Sequence, residues 1–194
     1  MEKLTKLLWF VCLFVVGVMI SIVTLENGLL LSVLSFLLVF LFTKKVKIKN
    51  FGLFLFLFSL FTRIVAVILV EVPIQSDYYI MYDAAISVLN GDFTFGKSFY
   101  FSNWGYQLGH VFYQALMLRI FNNVMFLKIL NCVYSSVIVL FVYLLLKKMV
   151  SENSARVMSL IYSISLYPIY LNMTLSNQPL SLMLVFIRIV LLIL

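Results

Sequence analysis

Asp77, Tyr78, Gln107, His110, Arg119 and Lys128 are the side chains of this sequence best suited to chemistry, and all lie in or beside one acidic, aromatic stretch. Asp77 stands just past a long apolar run and opens a segment with helix signals. A carboxylate there could serve as a general base, taking the proton of an acceptor hydroxyl as that oxygen attacks an activated sugar. Burial at a membrane edge makes a carboxylate a better base. The plainer reading is a solvated acid in a first helical turn, where the helix dipole favours it. Asp83 is about 240° further round such a helix, so a paired-carboxylate glycosidase site is not supported.

Lys97, Arg119 and Lys128 border the stretch. They could hold the phosphate of a lipid carrier, as point charges or, for arginine, as a bidentate fork; snorkelling to headgroups is the plainer alternative. His110 is the single histidine, with Gln107 and Gln114 at helical spacing. That set could bind a sugar or a phosphate, or simply hydrogen-bond headgroups and water. Tyr78, with Tyr79, Tyr82, Tyr100, Trp104, Tyr106 and Tyr113, makes an aromatic zone that suits either a membrane interface or sugar stacking. No His/Cys ligand set, phosphate loop, nucleophile elbow or Ser-His-Asp set is present, and no cofactor is expected.

The elements that position these residues follow from composition. Of 194 residues, 64% are hydrophobic and only 11% charged, against about 25% charged in soluble domains, so an integral membrane protein is expected. The apolar runs are continuous rather than alternating, which favours helices over a β-barrel. The net charge of +7 does not point to nucleic acid, because the charges sort along the chain. Nine of the fourteen basic residues are Lys3, Lys6, Lys44, Lys45, Lys47, Lys49, Lys147, Lys148 and Arg156, while five of seven acids are Glu26, Glu71, Asp77, Asp83 and Asp92. Placing the basic groups in the cytoplasm and the acids outside satisfies the positive-inside bias and puts the N-terminus in the cytoplasm.

A bilayer core of about 30 Å needs roughly 17–25 apolar residues as helix. About six spans are expected: Leu7–Val23, Leu29–Phe42, Phe51–Val72, Val124–Leu146, Ala155–Leu171 and Pro179–Leu194. Residues 1–50 form an N-terminal hairpin with a basic cytoplasmic loop, and 51–194 a second module with its external loop at 73–123. Inside that loop Ser76 is expected to N-cap a helix over Asp77–Asn90, stopped by Gly91. Trp104–Phe121 is expected to lie in the headgroup plane, with Asn103, Gln107, His110 and Gln114 on its polar face. Reading it as a span would put Lys147 and Lys148 on the wrong side. Arg63 and Arg188 sit inside apolar runs, where charge defaults to a pairing or functional role. The last span ends without a basic stop, so the chain is expected to be the N-terminal portion of a longer protein.

The order of these parts resembles the N-terminal half of GT-C glycosyltransferases, and most of all bacterial members of glycosyltransferase family 39, the protein-mannosyltransferase-like group. The likeness covers about residues 51–187. It rests on Ser76-Asp77-Tyr-Tyr-Ile-Met-Tyr-Asp-Ala84-Ala85, Asn90-Gly91-Asp92, Trp104-Gly-Tyr-Gln-Leu-Gly, Leu127-Lys-Ile-Leu-Asn131 and Asn177-Gln-Pro179. The resemblance implies that Asp77 is the catalytic base and that Lys128 stands near the phosphate of a polyprenyl-phosphate-linked sugar donor. It also implies transfer to an acceptor on the outer face of a bacterial cytoplasmic membrane. Tyr78 and Gln178 depart from it, where the family commonly carries acids. From a different class, a non-catalytic polytopic protein, either a transporter component or an assembly subunit, is the alternative expectation.

Overall fold

The computed structural model describes residues 50–193, all of whose regular elements are helical. The expected spans Leu7–Val23 and Leu29–Phe42, and the N-terminal cytoplasmic assignment, lie outside the described residues. The first described helix, α1, covers Phe51–Leu69, and α2 covers Ser76–Leu89. A connector follows, with 3-10 turns at Thr94–Lys97 and Gly105–Gln107 around the short α3, Phe99–Asn103. Then come α4, Leu108–Ile120; α5, Val124–Met149; α6, Glu152–Ser163; α7, Leu166–Met173; and α8, Gln178–Ile193.

Only α1 and α5 are long and apolar enough to cross a membrane among the described residues. At 1.5 Å per residue they span about 28 and 39 Å. Leu53, Leu57, Phe61 and Ile68 of α1 are exposed, which in water would leave a large unpartnered apolar face and in lipid costs nothing. The other side of α1 is a stripe at spacing four: Phe51, Leu55, Ser59, Arg63 and Val67 are buried. This stripe runs antiparallel to α5. Phe51 meets Tyr143 with ring centroids 5.0 Å apart, and Ser59 meets Ser136 halfway along. One apolar cluster (Phe51, Leu55, Val139, Tyr143, Ala155, Leu160) closes one end, and another (Val67, Cys132, Ile169, Met173) lies towards the other.

The expected fifth span is not one helix. It breaks at Ile164–Ser165 into α6 and α7. Pro168 explains the restart: without an N–H and with its ring against the preceding turn, proline is tolerated only where the first-turn donors have no helical partner anyway. It sits third in α7. The last expected span is α8, sixteen residues and shorter than a full crossing. Trp104–Phe121 contains a thirteen-residue helix, about 20 Å long, shorter than a bilayer core of about 30 Å.

In the loop module, α2 packs on α4 through Met81, Ala84 and Ala85 against Val111, Ala115 and Leu118, with Phe101, Leu127 and Leu175 completing the cluster. Ser76 is not the N-cap. Gln75 occupies that position without a side-chain bond, and Ser76 is in the left-handed region at φ 55°. The stop is as expected. Gly91 has φ 76°, its N–H donates to Val88 O, and the Asp92 N–H donates to Ser87 O, the paired bonds that close a helix through a left-handed glycine. Asp92 Oδ1 then accepts from Thr94 N–H at 2.8 Å and starts the connector. Gly91→Ala forces a Cβ into that left-handed conformation. It is expected to lower stability by about 1 kcal/mol, read as a lower thermal midpoint of the purified protein with an unchanged helical spectrum.

Candidate functional site

Asp77 lies in the first turn of α2, and its side chain is not covered by other parts of the protein. Its carboxylate acts electrostatically on Tyr100. Burial first, and then the field of Asp77 with Tyr106 and Tyr78, raises the Tyr100 hydroxyl above the usual phenol range. Asp77 of α2 is therefore near enough to Tyr100 of the connector to act on its hydroxyl. Tyr78 and Tyr100 are half-buried against the loop core, and the Trp104 ring lies tilted at 44° to Tyr100 with centroids 5.1 Å apart.

Lys128 does not hang free at the boundary. It is 9% exposed, and its Nζ donates to Val72 O at 3.1 Å, pinning the strand that leads from α1 to Asp77. Glu71 is close enough to act on its charge. Lys128 and Asp77 thus belong to the same end of the α1/α5 pair, but no ion pair or hydrogen bond joins them. Among the described residues the one ion pair is Arg156–Glu152, 2.6 Å, at the opposite end, where Arg156 also lies 5.1 Å over the Phe51 ring. Arg119 is exposed in the last turn of α4, a favourable place for a cation beside free carbonyls. It makes no hydrogen bond with the other expected site residues.

The polar face of α4 points the other way from expectation. Gln114 is 1% exposed, and His110 and Gln107 are half-buried, while Phe112, Leu116 and Ile120 are exposed, Ile120 at 66%. The hydrophobic contrast of this helix reports only that two faces differ; in lipid the apolar face turns outward and the polar face inward. Gln107 Oε1 accepts from Asn177 Nδ2 at 2.7 Å, joining the loop to the start of α8. The Tyr113 and Tyr134 hydroxyls meet at 2.6 Å between α4 and α5. The His110 ring lies 5.7 Å from Tyr113, and its Nε2 is buried with no partner, as are both polar atoms of the Gln114 amide.

Sequence reasoning missed a second polar set inside the bundle. Arg63 is 0% exposed. Its Nη1 donates to Ser59 O at 3.1 Å, to Ser59 Oγ, and to Ser163 O at 2.9 Å. Ser59 Oγ donates to Ser136 Oγ, which donates to Cys132 O. Beside them Ser135 Oγ donates to Asn172 Oδ1, and Asn131 Nδ2 to Ser176 O. Ser163 O is a terminal carbonyl of α6, so Arg63 satisfies the helix end that the break exposes. The spacing of Ser59 and Arg63, four residues apart on the buried stripe, was the signal that could have found this set.

Comparison with protein-family models, curated proteins and solved structures finds no match.

Burial pushes the His110 imidazole down to about 4, so it is neutral in the folded protein while the unfolded chain protonates near 6.5. Between those values the unfolded state binds more protons, so stability is complete above pH 6.5 and falls as pH drops towards 4. The loss is about 3 kcal/mol at the acid end. His110→Phe is expected to flatten that slope, seen as thermal midpoints of wild type and variant that diverge between pH 7 and pH 4.

Proposed function

We propose that this chain is a membrane glycosyltransferase, moving a sugar from a polyprenyl-phosphate donor to an acceptor on the external face of a bacterial cytoplasmic membrane. The observation that carries the reading is the exposed Asp77 carboxylate. It lies in the first turn of a helix that begins just past a membrane-capable helix, with the phenols of Tyr78, Tyr100 and Tyr106 nearby and Lys128 at the same end of the bundle. The clustering of Lys147, Lys148 and Arg156 around the opposite end supports that topology, since positive residues favour the cytoplasmic side.

In this mechanism Asp77 accepts the proton of the acceptor hydroxyl as its oxygen forms a bond to the anomeric carbon. The bond from that carbon to the phosphate oxygen breaks, its electron pair stays on the phosphate, and the configuration inverts. Exposure of Asp77 leaves it open to an acceptor approaching from water. The Lys128 ammonium has two further donors beyond its bond to Val72 O, enough to meet a carrier phosphate at the membrane edge. Asp77→Asn is expected to lower sugar transfer by about 10²- to 10⁴-fold with little change in thermal midpoint, measured with radiolabelled donor in membranes. Unchanged transfer would remove Asp77 as the base.

Arg63 at the break between α6 and α7 favours a second reading, a transporter component, because interrupted helices with a charge at the break line solute pathways. On that reading Arg63→Met abolishes at least tenfold of the flux of an anionic solute into proteoliposomes, and Asp77→Asn leaves it intact. The opposite pattern of sensitivity selects the transferase.

A further inference from the structure

The inward face of α4 carries the feature that neither the fold nor Asp77 accounts for. Gln107, His110 and Gln114 form one row along the helix, and exposure falls along it. Tyr106 at the outer end is exposed, Gln107 and His110 are half-buried, and Gln114 is enclosed. Both ends of the Gln114 amide and the His110 Nε2 have no hydrogen-bond partner, although the neighbouring polar groups are paired: Gln107 with Asn177, and Tyr113 with Tyr134. Burying an amide without partners costs several kcal/mol on hydrocarbon scales. An apolar residue of similar volume would fill the position at no such cost, while the exposed Phe112, Leu116 and Ile120 show that this helix places apolar side chains freely.

The chemistry of the row is specific. An amide offers donors and an acceptor, a neutral imidazole one of each, and a phenol both. No ionised side chain is hydrogen-bonded into it. Such a set matches groups that donate and accept at once and carry no charge. A carboxylate or phosphate would find no cation hydrogen-bonded into the row, and an alkyl chain would leave His110 Nε2 and the Gln114 amide unpaired. Hydroxyl groups fit, and a row of about 10 Å along seven helical residues offers several at the spacing of one or two sugar rings.

We propose that Gln107, just before α4, and His110 and Gln114 on it, with the Tyr113–Tyr134 pair and Asn177, form a binding site for an uncharged polyhydroxylated group, a sugar ring presented free or on a lipid. As the place of the donor sugar it rests on the transferase reading; as a binding site it does not need Asp77. Gln114 is the deepest recognition group, and Trp104, whose carbonyl accepts from Gln107 N–H at 3.0 Å, stands at the row's outer end.

The test uses the whole chain with Trp9→Phe, so that Trp104 alone reports, in phosphatidylglycerol nanodiscs prepared without glycoside detergents. The probes are mannosyl, glucosyl and galactosyl phosphates of a short polyprenol, the same polyprenyl phosphate without sugar, and the three methyl glycosides. A saturable change in Trp104 emission is expected with at least one glycosylated lipid, its affinity at least tenfold above that of the sugar-free lipid. Saturation by a methyl glycoside as well assigns recognition to the free sugar; response to the lipid forms alone assigns it to a glycolipid. Gln114→Leu is expected to weaken binding at least tenfold while raising the thermal midpoint, since it removes a buried unpaired amide. Asp77→Asn should bind as wild type does. Equal binding of the sugar-free lipid, no response to any glycoside, or unchanged binding in Gln114→Leu overturns the site. Normal transfer by Asp77→Asn, with binding still lost in Gln114→Leu, overturns the catalytic base and leaves the site standing.

Discussion

Arg63 joins two helices through one guanidinium and reaches a third through the Ser59 hydroxyl. It bonds within α1 to the backbone and hydroxyl of Ser59, and it reaches across to the carbonyl of Ser163 at the end of α6. Water cannot satisfy a severed helix end in the middle of an apolar bundle, so a broken helix there needs an internal donor. The break and the arginine therefore stand or fall together. From Ser59 the bonding passes to Ser136 and on to Cys132 O in α5, and each donor is polarised by the one before it. The polar layer lies along the α1/α5 contact between the two apolar clusters, and it fixes the register of that pair, because sliding by one turn would strand Arg63 among alkyl groups.

That layer also sets where the loop module can sit. Once α5 is registered against α1, Lys128 falls level with Val72 and anchors the segment that turns into α2. Leu127 of α5 and Leu175, just before α8, join the α2/α4 core, and Asn177 bonds Gln107. The loop is thus held at three points by elements of the bundle. Asp77 is carried on a helix whose position follows from packing rather than from any bond of its own.

Much of this was readable in advance for concrete reasons. The runs that became α1 and α5 are continuous and apolar over more than a bilayer's width, and no other structure buries such a backbone. Gly91 marked the end of α2 because only glycine enters the left-handed region cheaply. The Trp104–Phe121 segment yields a helix of only thirteen residues, α4. Ser76 failed as a cap because N-cap preference is a local tendency, and here the chain arrives from Pro73 and Gln75 in a direction that makes Ser76 itself turn left-handed. The interruption at Ile164–Ser165 was hidden because hydropathy counts side chains and takes no account of a missing N–H at Pro168.

The sequence by itself determined that the chain is helical and apolar, that the stretches of α1 and α5 are able to cross a membrane, and where acids and bases concentrate, since these depend on local composition and on periodicities along one segment. Only the tertiary structure decided which way each helix faces. The two sides of α4 could have been exchanged without altering a residue's spacing, and it was packing against α2 and α5 that turned Gln114 inward and Ile120 outward. The partner of Arg63 was likewise undecidable from one strand of text, because a carbonyl one hundred residues away becomes a neighbour only when the bundle closes.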